Sequence, residues 1–316
     1  MTQEKNKKGK IEQHVVPSTY LKHWRISSGE NFVYGIDLTN KHHLKVQTLG
    51  LNSKIFKEKK YYNHHSFKNP FMIEDFLGED IEPSYELITK ETNNEQNFSQ
   101  LVREKLLLWL YITNIRNPYV RNNIEKLSNF MLKTVETIKN GHLNIDKEVE
   151  IENYSKYIAK QVHIDSFVNK EQNEKYLMTF IETLNCKQWK ILKSHPTFEF
   201  WTNDNPGFSP NTIERFIEET PYHALMEINL NSIIYFPITP KYCLQLSPFK
   251  SGTSLDICGL NMEIIYEQAS LQLIEYINKG VLHTCSKVIV SNNKEILEKC
   301  VKRKPKEYPP SFHLKS

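Results

Sequence analysis

An α+β fold is predicted for this chain from three observations. Apolar residues recur with a period near 3.6 through residues 72 to 141, a period near two takes over after Asn185, and the two patterns do not alternate strictly enough for a doubly wound parallel sheet. We therefore expect a mixed or antiparallel sheet packed against a buried helical bundle, with a small β unit at the N-terminal end. At 316 residues, 39% hydrophobic and 25% charged, the chain can bury a real core.

The N-terminal unit is read as a short helical turn, Thr19 to Trp24, followed by strands Phe32 to Asp37 and Leu44 to Thr48. From Met72 to Thr89 the spacing of Ile73, Phe76, Leu77, Ile81, Leu87 and Ile88 is helical, and Pro83, lacking an amide proton, should kink or split that helix. Phe98 to Ile115 is apolar almost all round, the mark of a helix buried inside a domain. It should end where Asn117 precedes Pro118, which then serve as cap and first position of a new helix. That second helix carries Val120, Ile124, Leu127, Met131, Val135 and Ile138 on one face and stops near Gly141. Residues 142 to 175 are polar and weakly patterned, and are read as a helical insertion. Strands are expected at Trp189 to Lys193, Phe198 to Thr202, Ser232 to Pro237 and Tyr242 to Leu246. A helix over Ile264 to His283, the strand-like Lys287 to Val290 and a short helix over Lys294 to Val301 complete the reading.

These elements make residues 13–301 a single α+β domain between two basic tails. Residues 1–12 form the first, flexible and marked by Lys5, Lys7, Lys8 and Lys10; residues 302–316 form the second, with Lys302, Arg303, Lys304 and Lys306. With 41 basic against 37 acidic residues the net charge is only +4, so an electrostatic partner must find a local patch. The five cysteines are odd in number and never form a C-x-x-C pair, which argues against a disulfide framework or structural zinc. Together with the lack of a hydrophobic leader or a membrane-length apolar run, this leads us to expect a cytoplasmic protein.

Several activities have no sequence support. Neither G-x-G-x-x-G nor G-x-x-x-x-G-K-[ST] occurs, and only 10 glycines are present, so a phosphate-cradling nucleotide loop is not expected. H-E-x-x-H and G-x-S-x-G are also missing. The adjacent pairs His42-His43 and His64-His65 point their rings apart on an extended chain and read as surface histidines.

Two clusters are more specific: Gln13-His14-Val15-Val16-Pro17 with Tyr20-Leu21 and Trp24, and Thr202-Asn203-Asp204-Asn205-Pro206. The first resembles the Q-H-Y-V-P-x-x-Y-L opening of the bacterial domain-of-unknown-function 4238 family, and the second its T-S-D-N-P. Tyr61-Tyr62, Glu74 and Glu82 look like its aromatic and paired-glutamate region. Arg116-Asn117-Pro118 with Arg121 is similar to its R-T-P-x-x-R, Phe236 to Lys241 to its F-P-L-S-P-K, and Asn278 to its late helical asparagine. The resemblance spans Gln13 to Ser291. Val15, Asn203, Gly207 and Pro83 depart from the pattern. The resemblance implies an architecture and candidate positions, without naming a reaction.

Side-chain chemistry must supply the rest. His14 is the candidate general acid/base, presented on a segment stiffened by Pro17, with a buried histidine bonded to a carbonyl as the plainer alternative. Asp204, beside Asn205 at a strand end, could bind a metal or orient His14, or merely close an Asx-turn. Arg116 and Arg121 flank a helix junction where two guanidinium groups could clamp an anion, or could neutralise Glu74, Glu82 or Glu125. Glu82 is a second candidate metal ligand or acid/base, and otherwise an arginine partner. Gln13, Thr202 and Asn278 are expected in support. If His14, Asp204, Asn205 and the arginines share one pocket, phosphodiester cleavage fits best, with RNA favoured over DNA, a divalent metal as the candidate cofactor, and bacterial phage defence as the associated setting. The alternative is a non-enzymatic sensor or interaction module for an anionic ligand. In a third reading the landmarks are scaffold and function lies in residues 142 to 175. No membrane partner is expected.

Overall fold

The computed structural model describes residues 12–39, 44–63, 68–142, 144–210, 222–223, 229–249 and 263–302. The basic segments 1–11 and 303–316, and both histidine pairs, lie outside the described residues. The chain opens with strand β1 (Glu12–His14), helix α1 (Ser18–Leu21), β2 (Phe32–Asp37), β3 (Val46–Gly50) and β4 (Lys57–Lys59). Six helices follow: α2 (Met72–Phe76), α3 (Ser84–Asn93), α4 (Gln100–Arg116), α5 (Pro118–Asn140), α6 (Ile145–Val168) and α7 (Lys170–Asn185). The last third holds β5 (Gln188–Lys193), β6 (Thr202–Asn203), β7 (Ser209–Pro210), β8 (Tyr222–His223), β9 (Ile234–Thr239), β10 (Tyr242–Ser247), β11 (Ile265–Gln268), α8 (Leu271–Thr284), β12 (Val288–Ser291) and α9 (Lys294–Lys302).

Two four-stranded sheets carry the fold, a mixed one in the order β11-β5-β10-β9 and an antiparallel one in the order β3-β2-β12-β6. Period-two alternation divides their strands between two cores. Trp189, Ile191, Phe236, Leu244, Val288 and Val290 point into a core shared with Leu106, Leu107 and Leu110 of α4. Their neighbours Leu192, Tyr235, Cys243 and Ile289 point the other way, onto Ile274, Ile277 and Val281 of α8. Burial on both faces explains why β9 and β12 read as continuous apolar runs. This is an α+β architecture. The first two long strands do not stand alone: β2 pairs with β3 on one edge and with β12 on the other.

The helix junctions follow local chemistry. The Ser99 side chain caps α4, Asn117 caps α5 with Pro118 at its first turn, and Gly141 ends α5 at φ 76°. Pro83 splits its helix: after α2 a π turn spans Leu77–Ile81, closed by Glu82 N–H on the Leu77 carbonyl at 2.8 Å, before α3 begins.

Three expectations are corrected. Residues 265–268, read as helix, form β11 in parallel pairing with β5, because Ser270 caps the helix only from Leu271. Of Phe198 to Thr202 only Thr202 is in a strand, since the Trp201 N–H is taken by the Asn278 side chain rather than a ladder partner. The apolar face of α5 is not core: Leu127, Met131, Val135 and Ile138 are exposed, Ile138 by 78%. α5 packs on α6, and the segment read as an insertion holds all of α6 and the start of α7.

Candidate functional site

Arg116, at the last turn of α4, is the centre of a buried polar cluster. Its Nη1 donates to Glu82 Oε1 at 3.0 Å and its Nη2 to the main-chain carbonyl of His14 at 2.5 Å. The guanidinium also lies over the Tyr62 ring, 5.7 Å from its centre. Burial opposes its charge, but Tyr62, Glu82 and Glu74 outweigh that cost and raise its pKa, so it remains a fixed cation. β1 runs antiparallel to β4, with His14 opposite Lys57. The side chain of Gln13 locks this unit by accepting from Tyr62 N–H at 2.7 Å and donating to Asn63 at 2.5 Å.

The His14 N–H and C=O both project from the outer edge of β1. Arg116 donates to the C=O, and the nearby His14 N–H favours the charged form of Glu74 on α2. The imidazole is half-buried, with Nδ1 3.2 Å from the Val16 carbonyl and Nε2 3.2 Å from Asn52 Oδ1. Both oxygens can only accept, so the single proton of the neutral ring serves one contact at a time and leaves the other nitrogen as the base. Burial, reinforced by Lys57 and Arg116, lowers the pKa of His14 to about 4. Glu74 moves the other way: burial raises its pKa, and its Oε2 is buried with no hydrogen-bond partner. A neutral imidazole and a carboxyl biased toward its protonated form thus flank one residue of backbone.

Asp204 sits in a separate knot. Its Oδ1 accepts from Ser286 N–H at 2.9 Å, Lys287 N–H at 3.1 Å, Val288 N–H at 3.4 Å and the Cys285 thiol at 3.3 Å, which shapes the turn from α8 into β12. Burial raises its pKa despite these donors, and Oδ2 has no partner. Asn205 donates to the Thr284 carbonyl and Ser286 Oγ, both at 2.8 Å, and accepts from Tyr119 N–H at 3.3 Å, tying this turn to the first turn of α5. The Asn203 side chain closes an Asx-turn on Asn205 N–H. Thr202 meets the Tyr20 hydroxyl at 2.6 Å, which itself donates to the Pro237 carbonyl at 2.8 Å. Asn278 accepts from Trp201 N–H and donates to the Glu199 carbonyl, each at 2.9 Å, holding the approach to the knot.

The structure therefore brings Gln13, His14, Glu82 and Arg116 together, and separately Thr202, Asp204, Asn205 and Asn278. No hydrogen bond or ion pair joins His14 to Asp204. Lys287 links the two groups: its N–H binds Asp204, while its Nζ donates to Glu58 Oε1 at 2.6 Å. Glu58 also pairs with Arg121 at 3.5 Å, and Arg121 stacks over Tyr61 at 4.8 Å. Among the described residues no group of three or more His, Cys, Asp or Glu side chains is arranged to hold a metal. The donor chemistry at the two expected ligands agrees, because Asp204 Oδ1 faces N–H and S–H donors and Glu82 faces a guanidinium, environments that repel a cation.

The residues that sequence reasoning left out of the site are Glu74, Tyr62, Asn52, Glu58 and Lys287. Glu74 had a signal, since it forms the glutamate pair with Glu82 just ahead of the Pro83 break. The others act through contacts more than thirty residues away in sequence and leave no local pattern.

Among the described residues no helix is long and apolar enough to cross a membrane. No curated protein and no solved structure matches the chain significantly. The profile of a family described as "Protein of unknown function (DUF4238)" matches residues 12–295, which contain β1, the Arg116 cluster, the Asp204 knot and β12. The chain is a member of that DUF4238 family.

Proposed function

We propose that the chain cleaves phosphodiester bonds, with RNA as substrate, through general acid–base chemistry at His14 and Glu74 organised by Arg116. The observation that supports this reading is the arrangement at His14: its half-buried imidazole keeps one basic nitrogen in the neutral form, Glu74 beside the same strand has an unpartnered oxygen, and the His14 C=O is held by a buried cation. In such a site the ring nitrogen of His14 that carries no proton takes that of a ribose 2′-hydroxyl, whose oxygen attacks the adjacent phosphorus. Glu74 gives its proton to the departing 5′-oxygen. The products are a 2′,3′-cyclic phosphate and a free 5′-hydroxyl, and water later reopens the ring. Lys57, opposite His14 in the strand pair, is placed to attract the phosphate. Asp204 and Asn205 enter this reading as positioning residues that hold the junction between α4 and α5.

Incubation of the purified chain with RNA and with DNA, with and without chelator, tests the proposal. RNA should be cut in both conditions, and His14→Ala should lower the rate by about 10²- to 10⁴-fold. Because Arg116 binds the main chain of His14, this variant removes the imidazole and leaves that contact in place. Intact RNA under every condition would overturn the proposal. The competing reading, a non-enzymatic module that binds an anion, draws on the pairing of Arg116 with Glu82 and His14, which leaves Lys57 to attract a ligand. Stoichiometric anion binding without product formation would favour it.

A further inference from the structure

A cavity lies away from the His14 cluster, between the C-terminal half of α4 and the helices α6 and α7. Its volume is about 480 Å³, the size of sites that enclose small organic molecules. Its walls are of two kinds. Tyr111 and Phe180 meet edge to face at 5.4 Å and, with Tyr176 at the rim, give the cavity its aromatic wall. Asn114 and Asp165 supply acceptors, and Asn114 Oδ1 is buried with no hydrogen-bond partner. Among the described residues no lysine, arginine or histidine lines the cavity.

An unpartnered acceptor in a half-apolar cavity is costly until a donor arrives. Aromatic walls call for a planar ligand, a carboxylate calls for adjacent N–H donors, and the lack of basic lining disfavours a phosphate. We propose that this cavity binds a purine nucleobase or nucleoside with neighbouring ring N–H and amino donors, of which guanosine is the representative, with Asp165 and Asn114 as acceptors and the aromatic wall as stacking surface. Residues 162 to 166, which contribute Asp165, belong to the stretch read from sequence as a variable insertion. The inference is independent of the phosphodiesterase reading, since none of its residues belongs to the His14 cluster.

Calorimetric titration of the full chain with guanosine, adenosine and guanosine monophosphate tests it. Guanosine should bind with one site per chain, adenosine about tenfold or more weakly for want of the paired donors, and the monophosphate no more tightly than guanosine. Asp165→Asn should weaken guanosine by about tenfold or more. Tyr176→Ala, at a side chain already 67% exposed, should weaken all purines without lowering the melting temperature. No guanosine binding, binding unchanged in both variants, or a monophosphate bound far more tightly than the nucleoside would each overturn the proposal.

Discussion

The guanidinium of Arg116 donates to the main-chain carbonyl of His14 across 102 residues of sequence, at 2.5 Å, while its other arm pairs with Glu82 at 3.0 Å. This contact fixes the N-terminal strand against the helical core and sets where the imidazole stands. Removal of one partner leaves the other charge buried and uncompensated, so Arg116→Ala should destabilise the fold by about 3–5 kcal/mol in urea denaturation. Adding Glu82→Gln to that variant should recover part of the loss. A cost below about 1 kcal/mol would show that the pair is not buried as described.

Asp204 offers a sharper contrast between two substitutions. Asp204→Ala orphans three main-chain N–H groups at once and should lower stability by several kcal/mol, at about 1–3 kcal/mol for each unsatisfied buried donor. Asp204→Asn keeps the Oδ1 acceptor and should retain most of the melting temperature. Equal losses in the two variants would mean that the charge matters and not the turn it organises.

Acid should weaken the fold through its buried histidines. His163 donates to the Ile115 carbonyl at 3.0 Å, and burial, aided by Arg121, lowers its pKa from 6.5 to about 3. Between those values the unfolded chain binds a proton that the native chain refuses, so stability falls as pH drops through that window, by about 1.4 kcal/mol per unit of pKa difference. His14 and His23, each lowered to about 4, act in the same direction. Glu74 and Asp204, raised by burial, act in the opposite one. Melting curves from pH 7 to pH 4 should therefore be flatter for His163→Phe than for the parent chain, and identical slopes would refute the assignment.

Two leucines one helix apart separate core from surface. Leu110 of α4 is 1% exposed and Leu127 of α5 is 60% exposed. Leu110→Ala should cost about 2–5 kcal/mol, whereas Leu127→Glu should stay within about 0.5 kcal/mol in dilute solution. A large loss at Leu127 would show that its face is covered.

Much of this architecture was legible where local chemistry decides it. The Asn117-Pro118 junction, the Gly141 stop and the Pro83 break each follow from what one residue's backbone can donate or adopt, and each stands where expected. Elements whose state depends on distant partners were not legible. β11 is a strand because β5 offers an open parallel edge, although its own residues alternate poorly. The α5 stripe has a core-like period yet faces outward, because periodicity reports amphipathicity and cannot say what covers the apolar side. At the site, Gln13, His14, Glu82 and Arg116 do gather, but Asp204 serves a turn of its own, and Glu74 was seen in the glutamate pair without its contact to His14. Carboxylates that bind main-chain N–H groups and those that do chemistry look alike in sequence; only the donors around them differ.

A strand of DNA carrying one ribonucleotide tests the role of His14 and Glu74 most directly. The chain should cut it only at the ribose, in chelator as well as without, to leave a 2′,3′-cyclic phosphate, and His14→Ala and Glu74→Gln should each abolish the cut while melting as folded proteins. An uncut strand, or a cut that persists in both variants, would contradict the account.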